Sequence, residues 1–295
     1  MNTMTSTSSA HEGSLRRFAR HLLYVMTDNP VTAVAFGLFL LIVIAALLGP
    51  WLVPYHPLAT DASSTLQAPS WQHWFGTDHL GRDVFSRVVV ATRLDLMIAV
   101  TAVAIAFVVG STLGAIAGFY GGWVDRITGR LMDTIMAFPL FVLAMGIVAA
   151  AGNTIDNIVY ATAIINLPFY ARMARTEVAV RRQAGYVQAA RLSGNRDWRI
   201  LAFQIFPNSL PPMMVQISLN MGWAILNAAG LSFIGLGVSP PTPEWGIMVA
   251  EGANYIVSGQ WWLAVFPGLA LMLAVFTFNL LGDGLRDLVD PLRRT

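Results

Sequence analysis

Apolar residues are gathered into long uninterrupted runs, and short polar segments punctuate them. Six runs are long and apolar enough to predict membrane-crossing helices, at roughly 31–53, 96–118, 131–151, 155–171, 209–234 and 262–282. A bilayer core asks for about 20 apolar residues of helix, so the fourth run is the shortest candidate. The polar segments then set the expected organisation. A Ser/Thr-rich tail over 1–30 precedes the first helix at 31–53, and an external loop occupies 54–95. A core membrane unit at 96–284 contains a long polar loop at 172–208, and a tail covers 285–295. The run from Val31 exceeds a signal-peptide apolar region and lacks a clear small-residue cleavage site, which predicts an uncleaved anchor. The pattern is that of an all-α polytopic membrane protein of about six transmembrane helices.

Composition agrees with the pattern. Hydrophobic residues make up 56% of the chain and charged residues 12%, against ~25% charged in soluble domains. Cysteine is absent, which excludes disulfides, thiol catalysis and thiolate metal sites. All 18 basic residues are arginines, yet the net charge is only +2, so the balance points to cationic loops and to no nucleic-acid surface. Fifteen of these arginines fall in the N-terminal tail, 119–130, 172–208 and the C-terminal tail; the other three lie in 54–95. The positive-inside rule therefore places both termini and the 172–208 loop in the cytoplasm, and the Trp- and Pro-containing loops 54–95 and 235–261 outside.

On these boundaries no Asp, Glu, His or Arg falls well inside a span, which weighs against proton coupling because such machinery needs intramembrane ionisable groups. Gly110, Gly114 and Gly118 repeat every four residues and predict a close helix–helix approach. In the fifth span Gln216, Asn220, Trp223 and Asn227 fall on one helical face. Two readings stand for that face: a polar strip lining a substrate pathway, or interhelical hydrogen bonding with no solute involved. The five histidines form no paired metal spacing, and no P-loop is present. Asp78, His79 and Asp83 cluster in the first outer loop, where a solvated polar segment is the plain expectation and a metal or acid–base site the alternative.

The segment 185–208, GYVQAARLSGNRDWRILAFQIFPN, is basic and Gly-interrupted in an otherwise apolar protein. It resembles the cytoplasmic motif of bacterial ABC-importer membrane subunits: Gln188-Ala189-Ala190, then Gly194, then Pro207 thirteen residues later. Gln188 stands where that motif carries Glu, which removes any ion pair at the position but keeps hydrogen-bonding capacity. FGTDHLGRDVFSR (75–87), LSFIGLGVSPPTPEWGIMVAEG (231–252) and FNLLGDGLRDLVDP (278–291) narrow the resemblance to the C-type permease of the dipeptide/oligopeptide/nickel importer family.

The resemblance implies a MetI-like permease fold with an extra N-terminal helix, in a bacterial inner membrane. It implies a translocation pathway shared with a homologous B-type permease, two ATP-binding cassette subunits inside, and a solute-binding protein outside. ATP and Mg²⁺ would sit on those partners, with no cofactor, metal or catalytic residue in this chain. The ATPase-coupling residues implied are Tyr186, Gln188, Ala189, Ala190, Gly194, Asp197 and Pro207. The cargo implied is a peptide, with nickel or glutathione as alternatives. A stand-alone secondary carrier would leave the arginine-rich loop unexplained, and a membrane enzyme would lack a nucleophile–base pair.

Overall fold

The computed structural model describes residues 30–289, so the expected tails lie outside the described residues except for Pro30 and the stretch 285–289. Among the described residues every regular element is a helix, with one isolated antiparallel bridge between Thr77 and Asp83. α1 (Pro30–Leu52) starts on a proline, whose missing N–H costs nothing at a first turn. α2 (Val84–Tyr120) begins where the Asp83 carboxylate accepts the Ser86 N–H at 2.8 Å, and ends at Gly121 with φ +67°. α3 (Gly122–Met136) and α4 (Leu140–Ala151) meet at an 88° bend around Pro139. α5 (Ile155–Arg181) is capped by Thr154. α6 (Gly185–Leu192) and α7 (Asp197–Ile200) form an elbow, and a π-helical turn at Leu201–Ile205 leads into α8 (Phe206–Phe233). α9 (Trp245–Ala253) and α10 (Trp262–Val289) complete the chain.

Several boundaries differ from those expected. α2 starts at Val84 rather than near 96, because hydropathy falls at Arg93 and Asp95 while the cap at Asp83 keeps the helix going. The external loop therefore ends at 83, and Asp95 stands inside a helix with 1% exposure, contrary to the expected absence of ionisable groups in the spans. The third run is a bent pair and not one straight helix. The fourth is not short: α5 has 27 residues and continues to Arg181. By length and composition three helices (α1, α2 and α10) can cross a membrane, or four segments if the α3–α4 pair is one span. α5 and α8 are long enough but more polar; they pack against α2 and each other in the interior of the bundle, where neighbours replace lipid.

The glycine stripe forms the central seam. A Cβ on Gly110 would lie 2.7 Å from the Leu167 carbonyl oxygen, and Cβ atoms on Gly114 and Gly118 would strike the carbonyls of Ala171 and Arg175. Two four-residue ladders thus face each other along α2 and α5, and the seam is structural. The main core gathers around it from α1, α2, α4, α5, α8, α9 and α10.

A candidate docking elbow, a polar strip and an outer ionic knot

The elbow has its own small core. Val187 and Ala190 of α6, with Ile200 and Ile205, pack on Ala115 and Phe119 of α2 and Val178 of α5. Arg182 donates from Nη1 to the Phe119 carbonyl at 2.7 Å, and the Arg191 guanidinium lies 5.4 Å over the Phe119 ring. α6 closes with Gly194 at φ +79°, a left-handed conformation that glycine adopts without strain. The Asn195 N–H then returns to the Ala190 carbonyl at 3.1 Å. Arg191 pairs with Asp197 across the turn at 3.3 Å. The opposite face of α6 is bare. Tyr186, Gln188 and Ala189 are exposed, and Leu192 at the tip is 90% exposed. Of the seven motif residues, only Ala190 faces inward.

Pro207 sits in the first turn of α8, as its position suggests, although no break separates that helix from α7. The helical course runs on from Asp197 into α8, and Pro207 follows directly on the π turn. Proline lacks an N–H and crowds the carbonyl four residues back, here Phe203, so one widened turn relieves the clash.

The four strip residues part company. The Gln216 amide donates to Asn220 Oδ1 at 2.9 Å, while Asn227 donates to the Trp223 carbonyl at 2.8 Å. Asn220 is buried and Trp223 is 62% exposed, so the strip straddles the edge between packed and open helix faces. The Asn220 Nδ2 atom is buried without a hydrogen-bond partner.

The end of the first loop, where Asp78 and Asp83 lie, is not solvated, although most of the loop before it is exposed. Asp78 and Asp83 are buried, and they face different partners. Asp78 Oδ1 accepts the backbone N–H groups of Leu80 and Arg82 at 2.9 Å, and Oδ2 accepts Arg82 Nε at 2.6 Å. Arg82 and Arg87 each reach Glu251 of α9 at 3.7 Å, and Arg87 lies 3.7 Å from Asp78. Asp83 takes His73 Nδ1 at 2.9 Å besides capping α2. His79 stacks on Tyr255, so Asp78, His79 and Asp83 do not converge on a metal. Arg82, Arg87 and Glu251 were missing from the sequence reading. Their signal was the density of charge around Gly76 and Gly81 in a chain otherwise poor in it. Both glycines have positive φ, and a Cβ on Gly76 would lie 2.6 Å from the Gln67 carbonyl. A second buried acidic pair flanks Trp245: Glu244 caps α9 through Gly246 and Ile247, and Asp95 accepts the Trp245 N–H at 3.2 Å.

Comparison with known proteins identifies the family. Residues 110–295 match the family model described as binding-protein-dependent transport system inner membrane component. Residues 14–69 match the N-terminal TM domain of oligopeptide transport permease C. A probable D,D-dipeptide transport system permease protein of Escherichia coli is 45% identical over 92% of this chain and 90% of its own length. A dipeptide transport system permease protein of Alkalihalophilus pseudofirmus is 42% identical over 90% and 87%. A glutathione transport system permease protein of Pectobacterium atrosepticum is 44% identical over 88% and 86%. On the family match over 110–295 and these relatives, the chain belongs to the inner membrane component family of binding-protein-dependent transport systems, as a C-type permease of ABC importers.

Proposed function

We propose that this chain is the half of an importer's translocation pathway through which a partner's ATP-driven motion reaches the membrane, and that the cargo is a peptide. The observation that carries the reading is the two-sided elbow. One face of α6 is keyed to the ends of α2 and α5, and the other projects Tyr186, Ala189 and Leu192, which nothing among the described residues covers. The small side chain at 189 lets a groove close on the helix, and the exposed Tyr186 is of the aromatic type that anchors such contacts, with Leu192 beside it at the tip.

In this reading two ATP-binding cassette subunits grip the elbows of this chain and of a homologous B-type permease. Closure of the cassettes tilts α2 and α5 as one body through Val187 and Ala190, and the pathway alternates between inward- and outward-facing states. ATP and Mg²⁺ stay on the cassettes, and this chain carries no catalytic group. An external solute-binding protein delivers cargo to the loops around 54–83 and 235–261, while both termini and the elbow lie in the cytoplasm. Gln216, Asn220, Trp223 and Asn227 lie where one open helix face would meet the pathway. The peptide assignment rests on relatives named for dipeptide transport; a relative named for glutathione transport supports a γ-linked tripeptide as the second reading.

Gly194→Val tests the coupling. Its Cβ meets no atom within 4 Å, so the change strains the backbone of the turn without a clash. A left-handed turn costs an L-residue about 1–2 kcal/mol, enough to reshape a surface elbow and leave the membrane core folded. Uptake of a labelled dipeptide by cells is expected to fall at least tenfold while ATP hydrolysis by the purified complex persists. Normal uptake would remove the elbow from the mechanism.

A further inference from the structure

At the arginine-rich end of the bundle, α3 crosses α5. Arg172 reaches Asp133 at 2.7 Å, and Arg175 pairs with Asp125, with one of its two bonds at 2.6 Å. These two pairs brace the walls of an open groove of about 720 Å³. Two more guanidinium groups line it. Arg126 and Arg130 form none of the ion pairs seen among the described residues, and Arg126 rests 5.4 Å over the Trp123 ring. Four arginines against two aspartates leave the groove cationic.

α3 also has an unusual outer face. Trp123, Ile127 and Leu131 recur every four residues and are 74%, 66% and 51% exposed. At 100° per residue Arg126 and Arg130 adjoin this stripe on the same helix. The apolar α4 departs at 88°, so α3 lies across the direction in which α4 enters the apolar layer. A helix with an apolar stripe beside arginines, lying crosswise to its apolar continuation, is built for the boundary between headgroups and acyl chains. Basic pockets between helices on the cytoplasmic side of a membrane receive anionic headgroups, and the guanidinium fork fits phosphate oxygens.

We propose that this groove binds the headgroup of an anionic phospholipid, with the phosphate between Arg126 and Arg130 and the acyl chains along Trp123, Ile127 and Leu131. Lipid is favoured over soluble phosphate because the arginines and the apolar stripe share one helix. The bound lipid would hold α3 against α5 from outside, as the two salt bridges do from within.

The test is native mass spectrometry on the full-length chain, with whatever subunits co-purify, titrated with phosphatidylglycerol and in parallel with phosphatidylcholine. Phosphatidylglycerol is expected to bind more tightly. Arg126→Ala with Arg130→Ala is expected to weaken it about 30-fold, at about fivefold per guanidinium, and to leave phosphatidylcholine adducts unchanged. Arg126→Lys with Arg130→Lys should recover much of the loss, and thermal unfolding of each variant establishes that it is folded. Equal phosphatidylglycerol retention in the alanine variant would overturn the proposal. So would millimolar inorganic phosphate displacing the lipid from the wild-type chain only as well as from the alanine variant. Cross-linking from cysteines placed at 126 and 130 to a partner subunit, with no lipid retained there, would overturn it as well.

Discussion

Asp78 is the residue on which the segment before α2 turns. Its two oxygens take two backbone N–H groups and the Arg82 guanidinium, with Arg87 beside them, all at 8% side-chain exposure or less. Asp78→Ala would leave two buried cations facing only Glu251, and breaking such a group by removing one partner costs about 3–5 kcal/mol. A clearly lowered thermal midpoint of the purified protein in detergent is the expected outcome, and an unchanged midpoint would strip the knot of its stabilising role. Asp61 differs, because it is open to water. The hydroxyls of Ser63 and then Ser64, with the Ser63 N–H, hold its pKa at about 2, below the ordinary 3.8. A depressed carboxylate contributes its full stabilisation above the ordinary value and loses it as pH falls through the depressed one. The Asp61 side-chain carboxyl resonance should therefore titrate near pH 2, and a midpoint near 4 would mean that the Ser63–Ser64 turn is not formed.

Helices are where the sequence was most and least readable. Gly110, Gly114 and Gly118 announced the α2–α5 seam correctly, because small residues at a four-residue spacing have one obvious use. The start of α2 was hidden: Arg87, Arg93 and Asp95 lower the hydropathy of its first turns, and only the cap chemistry of Asp83 and Ser86 marks the true beginning. The 88° corner at Pro139 was equally invisible to hydropathy, which averages over a bend. The strip at 216–227 shared a helical face as expected, yet periodicity says nothing of which neighbours cover which half of that face. A paired substitution probes the seam. Gly114→Ala drives a methyl into the Ala171 carbonyl and is expected to destabilise by about 1–3 kcal/mol, whereas Gly37→Ala in α1 meets no atom within 4 Å and should be tolerated. Thermal unfolding of the two variants side by side checks this, and equal midpoints would contradict the seam.

For the whole molecule the orientation is the decisive property, and the chain offers a clean way to measure it. With no cysteine of its own, any introduced thiol is the only one. Leu192→Cys at the elbow tip and Val257→Cys, at a site 98% exposed beyond α9, are expected to react with a membrane-impermeant maleimide from opposite sides. In intact cells only the residue at 257 should be labelled; labelling at 192 would reverse the topology. The expectation comes from the arginine distribution, because fifteen of eighteen cations lie in one set of loops.

The ionic knot has a kinetic corollary. Asp78, Arg82 and Arg87 weld the segment before α2 to Glu251 beyond α8, and Trp262 donates to the Thr77 carbonyl at 3.2 Å. Two segments far apart in the chain are therefore tied together and, in the proposed transport cycle, would move as one. Whatever lands on either part delivers its torque to the same long shaft, and the joints that bend must be sought at the Pro139 corner and the widened turn before Pro207.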